Sequence, residues 1–180
     1  MKKFLFSLLF VTIIISLASC NVLGEKTIVY DDHIMCDELM KELTFSLQQR
    51  DVEKTKILFA PRLYLDSMFD INLENLINYY SGETKTINGL VDTGEYSNFD
   101  YEERHHGMEY DVETSDDIFR FNIIYIEKDT RSKNNVGIIS LYVLKLSEDE
   151  YPYRNYCGAI QSTDGIHVAY PNVMPIEECE

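Results

Sequence analysis

The spacing of the apolar residues changes once along the chain, at Gly82, and this change limits the folds that it can adopt. Before Gly82 the apolar residues recur every three or four positions, which is the spacing of amphipathic helices. We predict helices over Tyr30–Gln49, Val52–Phe59, Leu63–Phe69 and Leu73–Tyr80. Asp31 or Asp32 is expected to cap the first helix, and Asp51 the second.

After Gly82 apolar and polar residues alternate, which is typical of half-buried strands. The predicted strands are Thr84–Asp92, Gly107–Thr114, Ile118–Glu127, Val136–Leu146 and Gly165–Tyr170, with a turn at 92–94. Helices followed by strands with short connections indicate an α+β domain, in which N-terminal helices pack on one face of a curved antiparallel sheet. A cystatin-like or nuclear transport factor 2-like cone has this element order, although ferredoxin-like variants differ only in how the elements interleave.

The core of such a domain would lie between the first helix and the middle strands. The first helix is expected to bury the stripe that recurs every four residues, at Met35, Leu39, Leu43 and Leu47. Cys36, as a buried thiol, and Met40 are expected beside it. We expect Phe121 and Leu141 to face Leu39 or Leu43 across this core.

Three short motifs resemble those of a known family: Leu58-Phe59-Ala60-Pro61, Tyr79-Tyr80-Ser81-Gly82 and Asn135-Val136-Gly137-Ile138. Over roughly residues 33–170 the chain resembles the lipoproteins that carry the domain of unknown function 5104, found mainly in Gram-positive Firmicutes. The resemblance implies the cystatin-like or nuclear transport factor 2-like fold and tethering at the cell surface. It implies no activity and no catalytic residues.

The first twenty residues have the pattern of an export signal. Lys2 and Lys3 precede an apolar run over 4–17, which is too short for a comfortable membrane span. The run ends in Leu17-Ala18-Ser19-Cys20, which resembles a bacterial lipobox, so Cys20 is the expected site of lipidation by diacylglycerol. A plain signal peptide or an uncleaved anchor with an incidental cysteine is the alternative.

The chain is therefore expected to have four parts: a lipoprotein signal peptide over 1–19, a lipidated cysteine and tether over 20–28, one α+β domain over 29–172 and a C-terminal tail over 173–180. Because two acyl chains hold a protein stably on a membrane, we predict a location on the outer face of the cell membrane. The formal net charge of −15 argues against nucleic acid as a partner, since phosphate contacts need clustered Lys and Arg.

Few residues suggest chemistry. His105 and His106 lie among carboxylates, but neighbouring residues of a strand point to opposite faces, so we expect a solvated loop there and no metal site. No nucleophile elbow, phosphate loop or dinucleotide motif occurs, and no cofactor is expected. Whether Cys157 and Cys179 pair is open at this point.

The alternation of the two longest strands places Arg120, Asn122, Ser140 and Tyr142 on one face of the sheet. We predict that these four residues line a ligand-binding surface, with an ion pair to Arg120 on a partly solvated outer face as the alternative. The predicted function is a non-catalytic binding domain that captures a protein, peptide or small ligand outside the membrane. An immunity-type lipoprotein that blocks a basic toxin, or a small cone-fold hydrolase or isomerase, remains open.

Overall fold

A run of helices precedes a five-stranded sheet, so the predicted α+β class is correct. The computed structural model describes residues 25–97, 100–147 and 163–168. The helices are α1 (Glu25–Gln48), α2 (Val52–Lys56), a 3₁₀ helix (Pro61–Leu65) and α3 (Phe69–Tyr79). By backbone contacts the chain forms two units that divide at Met35, inside α1, and the second unit contains all later elements.

The helix boundaries differ from the predicted ones at several ends. Helix α1 begins at Glu25, five residues earlier than predicted, so Asp31 and Asp32 lie within it and do not cap it. Asp51 does cap α2, because its carboxylate accepts a hydrogen bond from Lys54 N at 3.0 Å. Pro61 opens a short 3₁₀ helix that ends at Leu65, where a longer helix to Phe69 was predicted.

The five strands follow one another in the sheet in chain order. They are β1 (Thr84–Ser97), β2 (Glu102–Thr114), β3 (Ile118–Asp129), β4 (Gly137–Lys145) and β5 (Gly165–Val168). The first four pair antiparallel, but β5 pairs parallel with β4, so the prediction of a wholly antiparallel sheet is wrong. The turn predicted at 92–94 is also wrong, because β1 and β2 stay paired from Thr84 to Ser97.

The buried residues of α1 are spaced three or four positions apart, as the 3.6-residue turn of a helix requires, and not strictly every fourth position. In the second unit the buried apolar residues of α1 are Cys36, Met40, Leu43 and Leu47. Leu39 is only half-buried, because a strict four-residue spacing drifts around a helix that has 3.6 residues per turn. The prediction that Cys36 is buried is confirmed.

One face of the sheet packs against the helices, and we call it the covered face. Phe119, Phe121 and Leu141 are fully buried there, as predicted for Phe121 and Leu141. The ring of Phe119 lies 4.8 Å from that of Tyr80, and Phe121 lies 6.1 Å from the same ring. The residues at the end of α3 therefore fix the helices on β3.

Tyr110 of β2 ties α1 to the same face. Its hydroxyl donates a hydrogen bond of 2.6 Å to the Asp37 carboxylate, and burial raises the pKa of the phenol. The ring lies over Gly89 of β1, where an added Cβ would come within 2.2 Å of Tyr110 Cδ1. Gly89 thus leaves the space that the tyrosine ring occupies.

Two of the three family-like motifs meet in space. Residues 58–60 form a parallel bridge with β4: Ala60 N donates to Ile138 O, and Ile138 N donates to Leu58 O, both at 2.9 Å. Gly137 has φ of 126°, and a Cβ on it would lie 2.6 Å from Ala60 N. The Leu58-Phe59-Ala60-Pro61 and Asn135-Val136-Gly137-Ile138 segments are therefore a single structural junction.

The connection from β3 to β4 is held by one buried carboxylate. Asp129 accepts hydrogen bonds from the Arg131 backbone and side chain and from Asn135 Nδ2 at 2.7 Å. These bonds, those of Arg131 first, hold the pKa of the Asp129 carboxyl below its usual range. The loop at 130–136 is therefore ordered by side chains, with a 3₁₀ turn at Lys133–Asn135.

None of the described helices combines the length and apolar character needed to span a bilayer. The signal peptide, Cys20, Cys157, Cys179 and the C-terminal tail lie outside the described residues. The domain limits at 29 and 172 stay predictions.

Candidate functional site

The face of the sheet opposite the covered face, called the second face, carries mainly polar residues. Arg120 of β3 pairs with Asp111 of β2 in the sheet register, and Asn122 pairs with Glu109 on one side and Tyr142 on the other. Because side chains alternate along strands, these residues and Ser140 lie on one face. The prediction that Arg120, Asn122, Ser140 and Tyr142 share a face is confirmed, whereas their binding role stays a prediction.

Arg120 is held by a carboxylate of the neighbouring strand. Its Nε and one terminal nitrogen donate to the two oxygens of Asp111, each at 2.8 Å, in a bidentate pair. The Arg120 side chain is 21% exposed and that of Asp111 is 38% exposed. The ion-pair alternative therefore describes Arg120, and its guanidinium fixes the position of the Asp111 carboxylate.

The other three predicted residues have different surroundings. Asn122 and Ser140 are buried, with 2% and 1% exposure, and so are not surface groups. Tyr142 is half-buried and stacks on His167 of β5, with ring centroids 4.2 Å apart. The Tyr142 hydroxyl contacts the Thr163 hydroxyl, and His167 Nε2 lies 3.1 Å from Thr163 O. The β5 side of the second face is therefore packed.

The β1–β2 side of the second face is open. A groove with a volume of about 300 Å³ is lined by Asn88, Gly89, Glu109 and Asp111. Asn88 and Glu109 are exposed, so the groove presents one amide and two carboxylates to solvent. The Glu109 carboxylate suits a cationic group, since carboxylates accept charge-assisted hydrogen bonds from Lys and Arg, whereas both oxygens of Asp111 already accept from Arg120.

Sequence reasoning missed Glu109, Asp111 and Asn88 as a group. All three lie inside predicted strands, but the register that sets Asn88 opposite Asp111 was not predicted. The available signal was the alternation of Glu109, Asp111 and Glu113 with apolar residues in β2, which places acidic residues on the face of Arg120.

The two adjacent histidines lie within β2, so the prediction of a solvated loop is wrong. Their expected separation to opposite faces is correct: the His105 side chain is 43% exposed and that of His106 is fully buried. His106 Nε2 lies 3.0 Å from Glu127 Oε2, and Arg104 Nε lies 3.1 Å from the same oxygen. Extending the alternation of Met108 and Tyr110 by one step would have placed His106 on the covered face.

Comparison with known proteins identifies a family without a described activity. The family model described as Domain of unknown function (DUF5104) matches residues 44–146. No curated protein and no solved structure matches the chain. The matched range begins inside α1 and ends directly after β4, so it contains both the junction at Gly137 and the acidic groove.

Proposed function

The chain belongs to the family of the domain of unknown function DUF5104, and we propose that it is a lipid-anchored, non-catalytic binding domain on the outer face of the cell membrane. Leu17-Ala18-Ser19-Cys20 after an apolar run supports the anchor, with Cys20 as the lipidated residue. For the fold we propose a cystatin-like or nuclear transport factor 2-like cone. The register shifts at Arg104/His105 and Ile124/Tyr125 support it, because bulges bend strands.

The observation that carries the binding role is the open groove on the second face. Arg120 holds the Asp111 carboxylate in place, so this side of the groove is ordered before a ligand binds. Binding would therefore cost less side-chain entropy. Glu109 lies beside it and is exposed. We therefore propose a partner that presents Lys or Arg side chains, such as a basic protein or peptide.

The excess of acidic residues favours the same class of partner. With 31 acidic and 16 basic residues, the chain would attract a basic protein over distances of about a Debye length, roughly 8–10 Å at physiological salt. Charge complementarity therefore supports an immunity-type lipoprotein, which would bind and neutralise a basic toxin.

A cone-fold hydrolase or isomerase is the second candidate, and the His106–Glu127 contact is the observation that favours it. A general base has to reach the proton that it removes. Because the His106 side chain is fully buried, this candidate needs an opening of the covered face, and we place it second.

The groove is tested with a lysine-rich peptide, an acidic peptide of equal length and the variant Glu109→Gln. We expect the lysine-rich peptide to bind and Glu109→Gln to weaken its binding by a factor of about 1.4 to 5 at low salt, since exposed charge pairs contribute about 0.2–1 kcal/mol. Titration calorimetry measures both dissociation constants.

The matched control is Glu74→Gln, which removes the same charge from an exposed position on α3. It should leave the dissociation constant unchanged. Equal weakening by both variants, or equal affinity for the two peptides, would contradict a specific cationic site in the groove.

A further inference from the structure

Strand β1 forms one edge of the sheet. It pairs with β2 on one side, and no strand of the described part of the chain pairs with its other side. Where β1 begins, Thr84 N donates to Gln48 Oε1 of α1 at 3.2 Å. We call the outer side of β1 over positions 86–91 the free edge.

The free edge lacks the features that ordinarily block a sheet edge. Proteins protect such edges with proline, charged side chains, β-bulges or very short strands. Positions 86–91 contain no proline and no charged residue. The register shift of β1 lies at their start, between Thr84 and Thr86, and beyond it the pairing with β2 is regular. Strand β1 has 14 residues, whereas β5 at the opposite edge has four.

The backbone of the free edge is accessible to solvent. Gly89 is exposed, and because it has no side chain, its exposed surface is backbone. Thr86 and Asn88 on the same stretch are exposed as well. An extended segment can therefore approach the N–H and C=O groups that an edge strand leaves unpaired.

On the covered face the free edge presents apolar side chains. Ile87 and Val91 lie opposite Val112 and Met108 of β2, which are buried. Directly opposite residues of an antiparallel pair point to the same face, so Ile87 and Val91 also lie on the covered face. Both are only half-buried. A strand beside β1 would cover their remaining surface with its own apolar side chains.

On the second face the acidic groove begins at the same stretch. Asn88 of β1 lines the groove, and Glu109 of β2 lies behind it. Neighbouring strands are about 4.8 Å apart, so a strand added to β1 would lie about 10 Å from β2. The four-carbon stem of a Lys side chain, together with the Glu109 side chain, can span this distance. Basic side chains of the added strand would thus reach Glu109.

We propose that the partner adds an extended strand to the free edge of β1, with Lys or Arg side chains over the groove and apolar side chains beside Ile87 and Val91. This inference rests on the proposed binding function and specifies how the basic partner is recognised. In strand addition, main-chain hydrogen bonds give affinity and alternate side chains give specificity. A second copy of the chain fits less well, because it would bring a further excess of acidic residues to an acidic groove.

A short peptide in which Lys alternates with Val tests the proposal, by titration calorimetry with the full chain. In two further versions, the backbone nitrogens of all the Lys residues or of all the Val residues are methylated. Successive N–H groups of a strand point to opposite sides, so only one version loses its hydrogen bonds to β1. We expect that version to bind at least about tenfold more weakly than the other, since it loses several hydrogen bonds at once.

The methylated peptides also separate this proposal from the proposed function. Equal affinity of all three peptides, with binding still weakened by Glu109→Gln, overturns strand addition and leaves the cationic site standing. Equal weakening by the two methylations contradicts pairing along one edge. An unmodified peptide that does not bind contradicts both proposals.

Amide hydrogen exchange of the full chain locates the bound peptide. We expect amides at 86–91 to exchange more slowly when the peptide is bound, whereas those of β5, at the opposite edge, are unchanged. Binding that slows no amide of β1 overturns strand addition. Slowing at β1 that is indifferent to Glu109→Gln overturns the groove as the binding site and leaves strand addition standing. Slowing that grows with protein concentration without peptide assigns the free edge to a second copy and overturns the proposal.

Discussion

Phe121→Ala should lower the free energy of unfolding by about 3–5 kcal/mol, because it removes a fully buried ring and leaves a cavity in the core. This loss is a large part of the 5–15 kcal/mol by which a typical domain is stable. Urea denaturation followed by circular dichroism measures the change. The ring faces Tyr80 across the covered face, so the cavity would lie where the helices meet β3.

The control for Phe121→Ala is Ile118→Ala, three residues earlier in the same strand and 41% exposed. It should change the free energy of unfolding by about 0.5 kcal/mol or less. A Phe121→Ala protein with the urea midpoint of the control would show that this face of β3 is not the core.

Gly137→Ala should destabilise the fold by about 3 kcal/mol or more. A backbone strained away from the ordinary regions costs roughly 1–3 kcal/mol, and the new methyl group would also meet Ala60 N at 2.6 Å. Because the obstacle is backbone, relief requires the bridge between residues 58–60 and β4 to open. The urea midpoint of the variant reports the loss.

Gly165→Ala separates the cost of backbone strain from the cost of the steric clash. Gly165 also has positive φ, at 114°, but the nearest atom to an added Cβ there is 3.9 Å away. Its cost should be that of the backbone conformation alone, and so clearly smaller than that of Gly137→Ala. Equal losses at the two glycines would contradict a steric role for the junction.

Strands β3 and β4 could be predicted from the sequence because their apolar pattern is long and uninterrupted. Strand β2 was placed only in part, since the stretch from Glu102 to His106 is polar and charged, and its pairing with β1 overrides local polarity. The parallel position of β5 could not be predicted, because it depends on the long connection after β4 and not on local pattern.

The candidate site shows the same division between local and tertiary information. Alternation alone placed Arg120 and Asn122 on one face, and the register confirms this. The burial of Asn122 and Ser140 depends on packing from other elements, which alternation does not contain. The groove at Asn88 and Glu109 depends on the pairing of β1 with β2, so it became visible only in three dimensions.

Carboxylate footprinting on intact cells is the most direct test of the binding function. A membrane-impermeant carbodiimide with an amine labels exposed carboxyl groups, and the extent of labelling is compared between cells that make the protein and the purified chain. We predict that Glu74 is labelled equally in both, and that Glu109 is labelled less on cells because a partner occupies the groove. Equal labelling of Glu109 on cells and in the purified protein would contradict the proposed binding site, and an unlabelled Glu74 on cells would contradict the location outside the membrane.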